Sequence, residues 1–191
     1  QASFAGGYNW SNGVRFSGDV ALGRMTQDED FLPYTINPVL AATITQPLPR
    51  TSLDGEIDTT VANLRFTGRG NDRFNWGAHW RYDDRDNQTP RAEYVYIGGD
   101  SNAQSVAANS SFRRFNEPAS YRDSRLRFDA GYRLASRTRV TGSLERRFTE
   151  RTYSEVEEAA ETTARFALRH SNGSWVDASV RYEWSEREGS T

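Results

Sequence analysis

The sequence predicts an all-β fold, a transmembrane antiparallel up-and-down β-barrel segment of eight strands, on three observations. The first is strict period-two alternation, which marks a strand with one apolar and one polar face. It is clearest in Asp123–Arg151, where Leu126, Phe128, Ala130, Tyr132 and Leu134 alternate with Arg125, Arg127, Asp129 and Arg133, and Val140, Leu144 and Phe148 with Thr141, Glu145 and Arg147. The second is that such stretches recur along the chain with connections that alternate between short and long, as in a barrel with tight turns at one rim and extended loops at the other. The third is that no run approaches the ~18 apolar residues of a membrane-crossing helix, so only strands can cross. A soluble β-sandwich also alternates, but its turns do not segregate by length in this way.

In chain order the strands are expected at 1–10, 14–28, 59–69, 74–83, 124–134, 139–151, 163–170 and 175–185, within one barrel domain spanning 1–191. Ser11-Asn12-Gly13 is a hairpin signal of the Asn-Gly type. Val14, Phe16, Val20 and Leu22 then oppose Arg15, Ser17 and Asp19. A proline-bearing segment, 29–58, reads as the first long outer loop. Leu64 and Phe66 oppose Arg65, Gly70–Arg73 turns, and Trp76, Ala78, Trp80 and Tyr82 oppose His79 and Arg81. The second long outer loop is 84–123, and 135–138 closes the central hairpin. Phe166 and Leu168 oppose Arg165 and Arg169, 171–174 turns, and Val180, Tyr182 and Trp184 oppose Arg181 and Glu183. Aromatics near strand ends, such as Tyr8, Trp10, Trp80 and Tyr82, fit interfacial girdles. An even strand count places both ends of the sequence on the long-loop side, which leads us to expect an internal piece of a larger barrel. The competing expectation is a complete small barrel whose inward charges pack as a polar plug.

Arg146 interrupts this pattern, since it has the parity of Leu144 and Phe148. A lipid-facing arginine costs roughly 2–4 kcal/mol at the bilayer midplane and much less near its surface. Either it lies at the outer interface or a bulge at Arg146-Arg147 resets the register.

Composition narrows the function. Net charge is −2, which carries no overall basic signature for nucleic acid. Mean hydropathy is −0.82, the value of a soluble or loop-rich protein, which leaves a barrel open because alternation dilutes its hydrophobicity. Cysteine is absent, which removes thiolate metal sites and the attachment motif of c-type haem, so this chain holds no covalent haem itself. All 24 basic residues other than histidine are arginine. The inward set expected to meet a partner is Arg15, Arg65, Arg81, Arg125, Arg127, Arg133, Arg147, Arg165, Arg169 and Arg181, in excess over inward carboxylates such as Asp19, Asp129, Glu145, Asp177 and Glu183. Guanidinium is always ionised and presents a fork that matches carboxylates and phosphates. The surplus implies an anionic occupant, although each arginine alone also fits a ladder with an acid on the next strand. No catalytic constellation is present: His79 stands alone among arginines, and His170 sits beside a turn at the apolar parity. Asp28-Glu29-Asp30 and Asp83-Asp84-Arg85-Asp86-Asn87 are weak calcium candidates, since neither has the spacing or the glycine of a calcium loop.

Several segments together resemble one family. Gly23–Thr35 (GRMTQDEDFLPYT), Asp83–Arg91 (DDRDNQTPR), Tyr96–Asp100 (YIGGD) and Asp129–Thr138 (DAGYRLASRT) resemble, in the same order, the MtrB/PioB family of outer-membrane barrels associated with decahaem cytochromes. The resemblance implies a bacterial outer-membrane location and a family barrel of about 26 strands. It implies a sheath that holds a periplasmic multihaem (decahaem) c-type cytochrome in its pore for extracellular electron transfer, with haem c carried by that partner. A second multihaem cytochrome then docks at the outer loops. The alternative function is an open anion-selective porin; an outer-membrane enzyme or a soluble adhesive β-domain has less to support it.

Overall fold

The computed structural model describes residues 1–98, 104, 107, 110–171 and 177–190. Eight long strands form one antiparallel sheet, ordered along the chain without crossover. They are β1 (Ala2–Asn9), β2 (Arg15–Gln27), β3 (Gly55–Arg69), β4 (Phe74–Asn87), β7 (Tyr121–Ala135), β8 (Thr138–Arg151), β9 (Glu158–Ser171) and β10 (Asp177–Ser190). A second, two-stranded sheet pairs β5 (Glu93–Val95) with β6 (Arg113–Phe115), and a single helical turn, α1, spans Pro38–Ala41.

The chain divides into two compact units. One comprises Gln1–Gly23, Thr59–Arg85 and Ser120–Thr191, and the other Arg24–Asp58 and Asp86–Ala119. In the first unit the turns follow the expected chemistry. Gly13 takes φ +82°, a conformation that disfavours any side chain, while the Asn12 side chain accepts the Val14 amide at 3.2 Å. Asn71 accepts the Arg73 and Phe74 amides at 2.9 and 2.8 Å. Ala135 pairs with Thr138 around Ser136-Arg137. The expected turn at Asn172-Gly173-Ser174, the first residues of the expected last strand (Trp175, Val176), and Gly99-Asp100 lie outside the described residues.

The strands run past several expected ends. The third begins at Gly55 rather than 59, the fourth continues to Asn87 rather than 83, and β7 starts at Tyr121 rather than 124. β9 starts at Glu158 rather than 163, and β10 ends at Ser190 rather than 185. The physical reason is that alternation reports only the stretch with one apolar face. Where both faces are polar the period vanishes, yet the ladder continues because the neighbours continue: Glu158 pairs with both Glu150 and Ser190.

The long loops are also more ordered than a proline-rich irregular segment implies. In the second unit Phe31 meets Tyr94 edge-on at 5.7 Å, and Tyr34 meets Tyr96 at 5.3 Å. The Gln104 amide donates to the Gln46 and Val95 carbonyls and accepts from the Thr45 and Gln46 amides, all within 2.9 Å. The Asn37 side chain caps α1 by accepting the Val39 amide. This unit makes its own small aromatic core.

The large sheet has none. Among the described residues the buried apolar side chains are Ala62 and Tyr94, whereas Phe128, Leu144, Phe166, Val180 and Tyr182 are about half exposed or more. An apolar face of this extent, left open on long strands, is what a bilayer rather than a protein interior covers.

Candidate functional site

The opposite face of the sheet is the candidate site, and cross-strand register orders its charges into rows. The first row, nearest the short turns, runs Arg133–Arg139–Arg169 across β7, β8 and β9. A middle pair of rows runs Gly77–Asp129–Ser143–Arg165–Glu183 and His79–Arg127–Glu145–Thr163–Ser185, across β4, β7, β8, β9 and β10. Above them lies Arg81–Arg125–Arg147–Glu161–Arg187, followed by Asp83–Asp123–Thr149.

The middle rows are internally neutralised. Arg127 holds Asp129 through Nε and Nη2 at 3.0 and 2.7 Å, and His79 Nε2 approaches the other Asp129 oxygen at 3.7 Å. Arg165 Nε donates to Glu183 at 2.9 Å. The upper row is partly neutralised from one step further along the strands. Arg147 Nε donates to Asp123 at 2.5 Å, a carboxylate that also accepts from Thr149, and Arg81 lies 3.5 Å from Asp83. Between them Arg125 has its Nε buried and without a hydrogen-bond partner. Two hollows of about 530 and 580 Å³ indent this face, and Arg65, His79, Arg127 and Asp129 line both. Arg181 lines the first of them; Arg81 and Arg125 line the second.

The first row differs. Arg133, Arg139 and Arg169 are exposed, and among the described residues none of them meets a carboxylate. Arg139 is steadied by a 3.0 Å hydrogen bond to Asn75 Oδ1. Gly131 makes room for it, because a Cβ there would lie 2.5 Å from Asn75 Oδ1 and 2.9 Å from Arg139 Nη2. Arg15 stands on β2 directly opposite Asn9 of β1.

The expected inward set therefore occupies one face of the sheet, but its members do not share a state. Arg81, Arg127, Arg147 and Arg165 are engaged by wall carboxylates, while Arg125, Arg133 and Arg169 are not. Further arginines belong to this face and were not anticipated, among them Arg139, placed at a strand end, and Arg187, beyond the expected end of the last strand. Counting back by twos from Arg147 identifies the first; Arg187 only becomes visible once Glu161 is known to pair with it.

Arg146 stands on the apolar face. Leu126, Arg146 and Thr162 pair in unbroken register, so the bulge alternative is excluded, and its guanidinium lies 4.8 Å over the Phe148 ring. On the same face Arg122 bridges Asp84 and Glu150 at 3.2 and 3.0 Å. A charged band thus begins where the apolar belt ends.

The calcium candidates do not converge. Asp83 and Asp84 alternate across the two faces of β4, one toward Arg81 and the other toward Arg122. Asp28 accepts from Ser52 at 2.5 Å. Among the described residues no three histidine, aspartate or glutamate side chains gather as a metal site. His170 Nδ1 lies 2.8 Å from the Thr138 hydroxyl beside the turn. In the second unit the Arg113 guanidinium, bonded to Glu93, holds that carboxyl below the usual carboxylate range. Burial pushes the Tyr34 phenol up.

Comparison with known proteins places these features. The sheet is similar to OmpT (in-vitro folded), an outer membrane protein of Vibrio cholerae, with a TM-score of 0.53 at 10% identity, over 96% of this chain and 44% of that one. It is equally similar to the loop L8 deletion mutant of the same protein, at a TM-score of 0.53 and 10% identity, over 96% and 47% of the two chains. These likenesses concern the fold alone. In sequence the chain is 26% identical over 188 residues to "Outer membrane protein MtrB" of Shewanella baltica (strain OS185), covering 98% of this chain. It spans 25% of that relative's length. Residues 1–191 match throughout the family described as "Putative outer membrane beta-barrel porin, MtrB/PioB", which is a porin and not an enzyme family. The chain, an all-β outer-membrane barrel segment with one apolar and one arginine-rich face, belongs to the MtrB/PioB family.

Proposed function

We propose that this chain is part of the wall of an outer-membrane sheath that holds a multihaem c-type cytochrome in its pore, so that electrons cross the membrane from haem to haem. The observation that carries this reading is the state of the charged face. In a barrel the apolar face meets lipid and the other lines the lumen. A water-filled lumen needs no net charge, and a plugged one neutralises its charges within the wall, as the Arg127–Asp129 and Arg165–Glu183 pairs do. Arginines left over from that pairing call for an anionic guest, and acidic side chains or haem propionates on a cytochrome supply one. β1 and β10 are the edges of the sheet, and unpaired backbone groups are untenable in hydrocarbon. Further strands of a larger barrel satisfy them. The wall carries no chemistry of its own; the partner brings haem c, and a second multihaem cytochrome docks at the outer segments.

The test is a visible spectrum of the intact barrel, purified from its native outer membrane in mild detergent. A stoichiometric Soret band that persists through size exclusion and belongs to a polypeptide separable from the barrel on denaturation supports the sheath. A colourless barrel overturns it. The same surplus of arginine favours, as the second reading, an open anion-selective porin, which reconstituted bilayers reveal as steady anion conductance.

A further inference from the structure

We propose that Arg133, Arg139 and Arg169 form a carboxylate-binding stripe at the short-turn mouth of the wall, gripping an acidic patch on a partner protein seated against the charged face. The inference rests on the reading that a protein occupies the lumen, and it names the part of the wall that holds it.

The three arginines are direct cross-strand neighbours, Arg133 opposite Arg139 and Arg139 opposite Arg169. Like charges directly opposite one another in a ladder repel, and a sheet normally interposes an acid. Further from the turns an acid is at hand even where arginines meet: Arg81, Arg125 and Arg147 also stand directly opposite one another, but Asp83 and Asp123 lie one step along their strands and Glu161 continues the row. At the mouth the nearest acid on β10 is Asp177, which stands opposite Ser171 and makes no ion pair among the described residues. The adjoining stretch 172–176 contains no acidic residue at all. Arg15 and Arg69, on β2 and β3, add charge toward the same rim.

Repulsion of this kind persists when something outside the sheet relieves it. The stripe crosses three strands, about 10 Å at the usual spacing between neighbours. A single small anion neutralises one guanidinium of such an array; carboxylates distributed over a protein surface match all three. Each guanidinium offers a planar fork suited to a carboxylate, and Arg139, steadied by Asn75 above Gly131, is already oriented across the face.

The experiment uses the intact barrel purified with its partner from the outer membrane, with haem absorbance per barrel read after size exclusion at increasing NaCl. Two mouth variants are compared: Arg133→Gln/Arg169→Gln, and the charge reversal Arg133→Glu/Arg139→Glu/Arg169→Glu. Arg122→Gln/Arg146→Gln removes the same charge from the opposite face. Heat-shifted electrophoretic mobility selects variants that fold, and the glutamine pair retains the strand pattern should the reversal fail. The expected result is that the mouth variants release haem at salt concentrations the unaltered complex withstands, with retention weakened about tenfold or more for the reversal, while the opposite-face variant behaves as the unaltered protein. Equal retention in all three overturns the stripe and leaves the sheath intact. Haem absent from the unaltered barrel overturns the sheath reading, a distinct outcome that removes the stripe's partner with it.

Discussion

Two bands of the same charged face, a few residues apart along the same strands, treat arginine in opposite ways. In the middle, Arg127, Asp129 and His79 form a closed group, and Arg165 is tied to Glu183. At the short-turn mouth, Arg133, Arg139 and Arg169 stand side by side without an acid. The residue type, strands and backbone geometry are shared, so the difference lies in which acids stand nearby: Asp129 two residues along the same strand from Arg127, and Glu183 across from Arg165. One band serves the wall's own cohesion, and the other leaves its charges open, as the proposed binding stripe requires.

This contrast predicts opposite signs for substitution. The largest effect belongs to Asp129→Ala, which leaves both Arg127 and His79 without their acid. Because these groups are partly exposed and screened, the loss is on the order of 1 kcal/mol. Thermal unfolding in detergent measures it, and a double-mutant cycle with Arg127→Ala assigns the share of that pair. If Asp129→Ala unfolds like the unaltered barrel, the middle band is not cohesive and the comparison collapses. A smaller effect of the opposite sign is expected at the mouth. Arg169→Gln removes one member of a like-charged row and raises barrel stability by a few tenths of a kcal/mol, about 0.5 at most. Lower stability instead means that Arg169 is engaged by the wall.

The smallest effect lies in the second unit, where Glu93 and Arg113 join β5 to β6. The Glu93 carboxyl titrates below its ordinary value of 4.5 in the folded chain. Its contribution is therefore complete above that value and is lost as pH falls through the lower folded one. Protection of the β5–β6 amides against hydrogen exchange is expected to hold at neutral pH and weaken only in acid. Protection unchanged across that range removes the pair from the stability of the second unit.

Much of this was legible in the residues. Parity alone places Arg125, Arg127, Arg165 and Arg181 on one face, because a strand has only two faces and the apolar one is conspicuous. Pairing across strands was not legible. Asp129 stands two residues from Arg127 on the same strand, but nothing in the spacing along β7 says that Arg133 faces Arg139, or along β9 that Arg165 faces Glu183; register between strands decides it. Arg187 was missed for a related reason, since β10 extends past Ser185 with exposed charges on both faces and no period to mark it. The folded long segments were hidden too. Tyr34 is far in sequence from Tyr94 and Tyr96, and the Gln104 amide that ties Gln46 to Val95 carries no local signature.

By itself, then, the sequence determined the strands, their two chemistries, the tight turns at Gly13 and Asn71, and through four ordered segments the family. These are local properties, set by side-chain period and backbone conformation within a few residues. Tertiary structure alone decided that Arg165 meets Glu183 while Arg133, Arg139 and Arg169 line up without an acid, that Arg146 keeps its place on the apolar face above Phe148, and that the long loops build an aromatic core. Each of these depends on the register between chain segments distant in sequence, and a period-two pattern constrains that register only to parity, not to a particular partner.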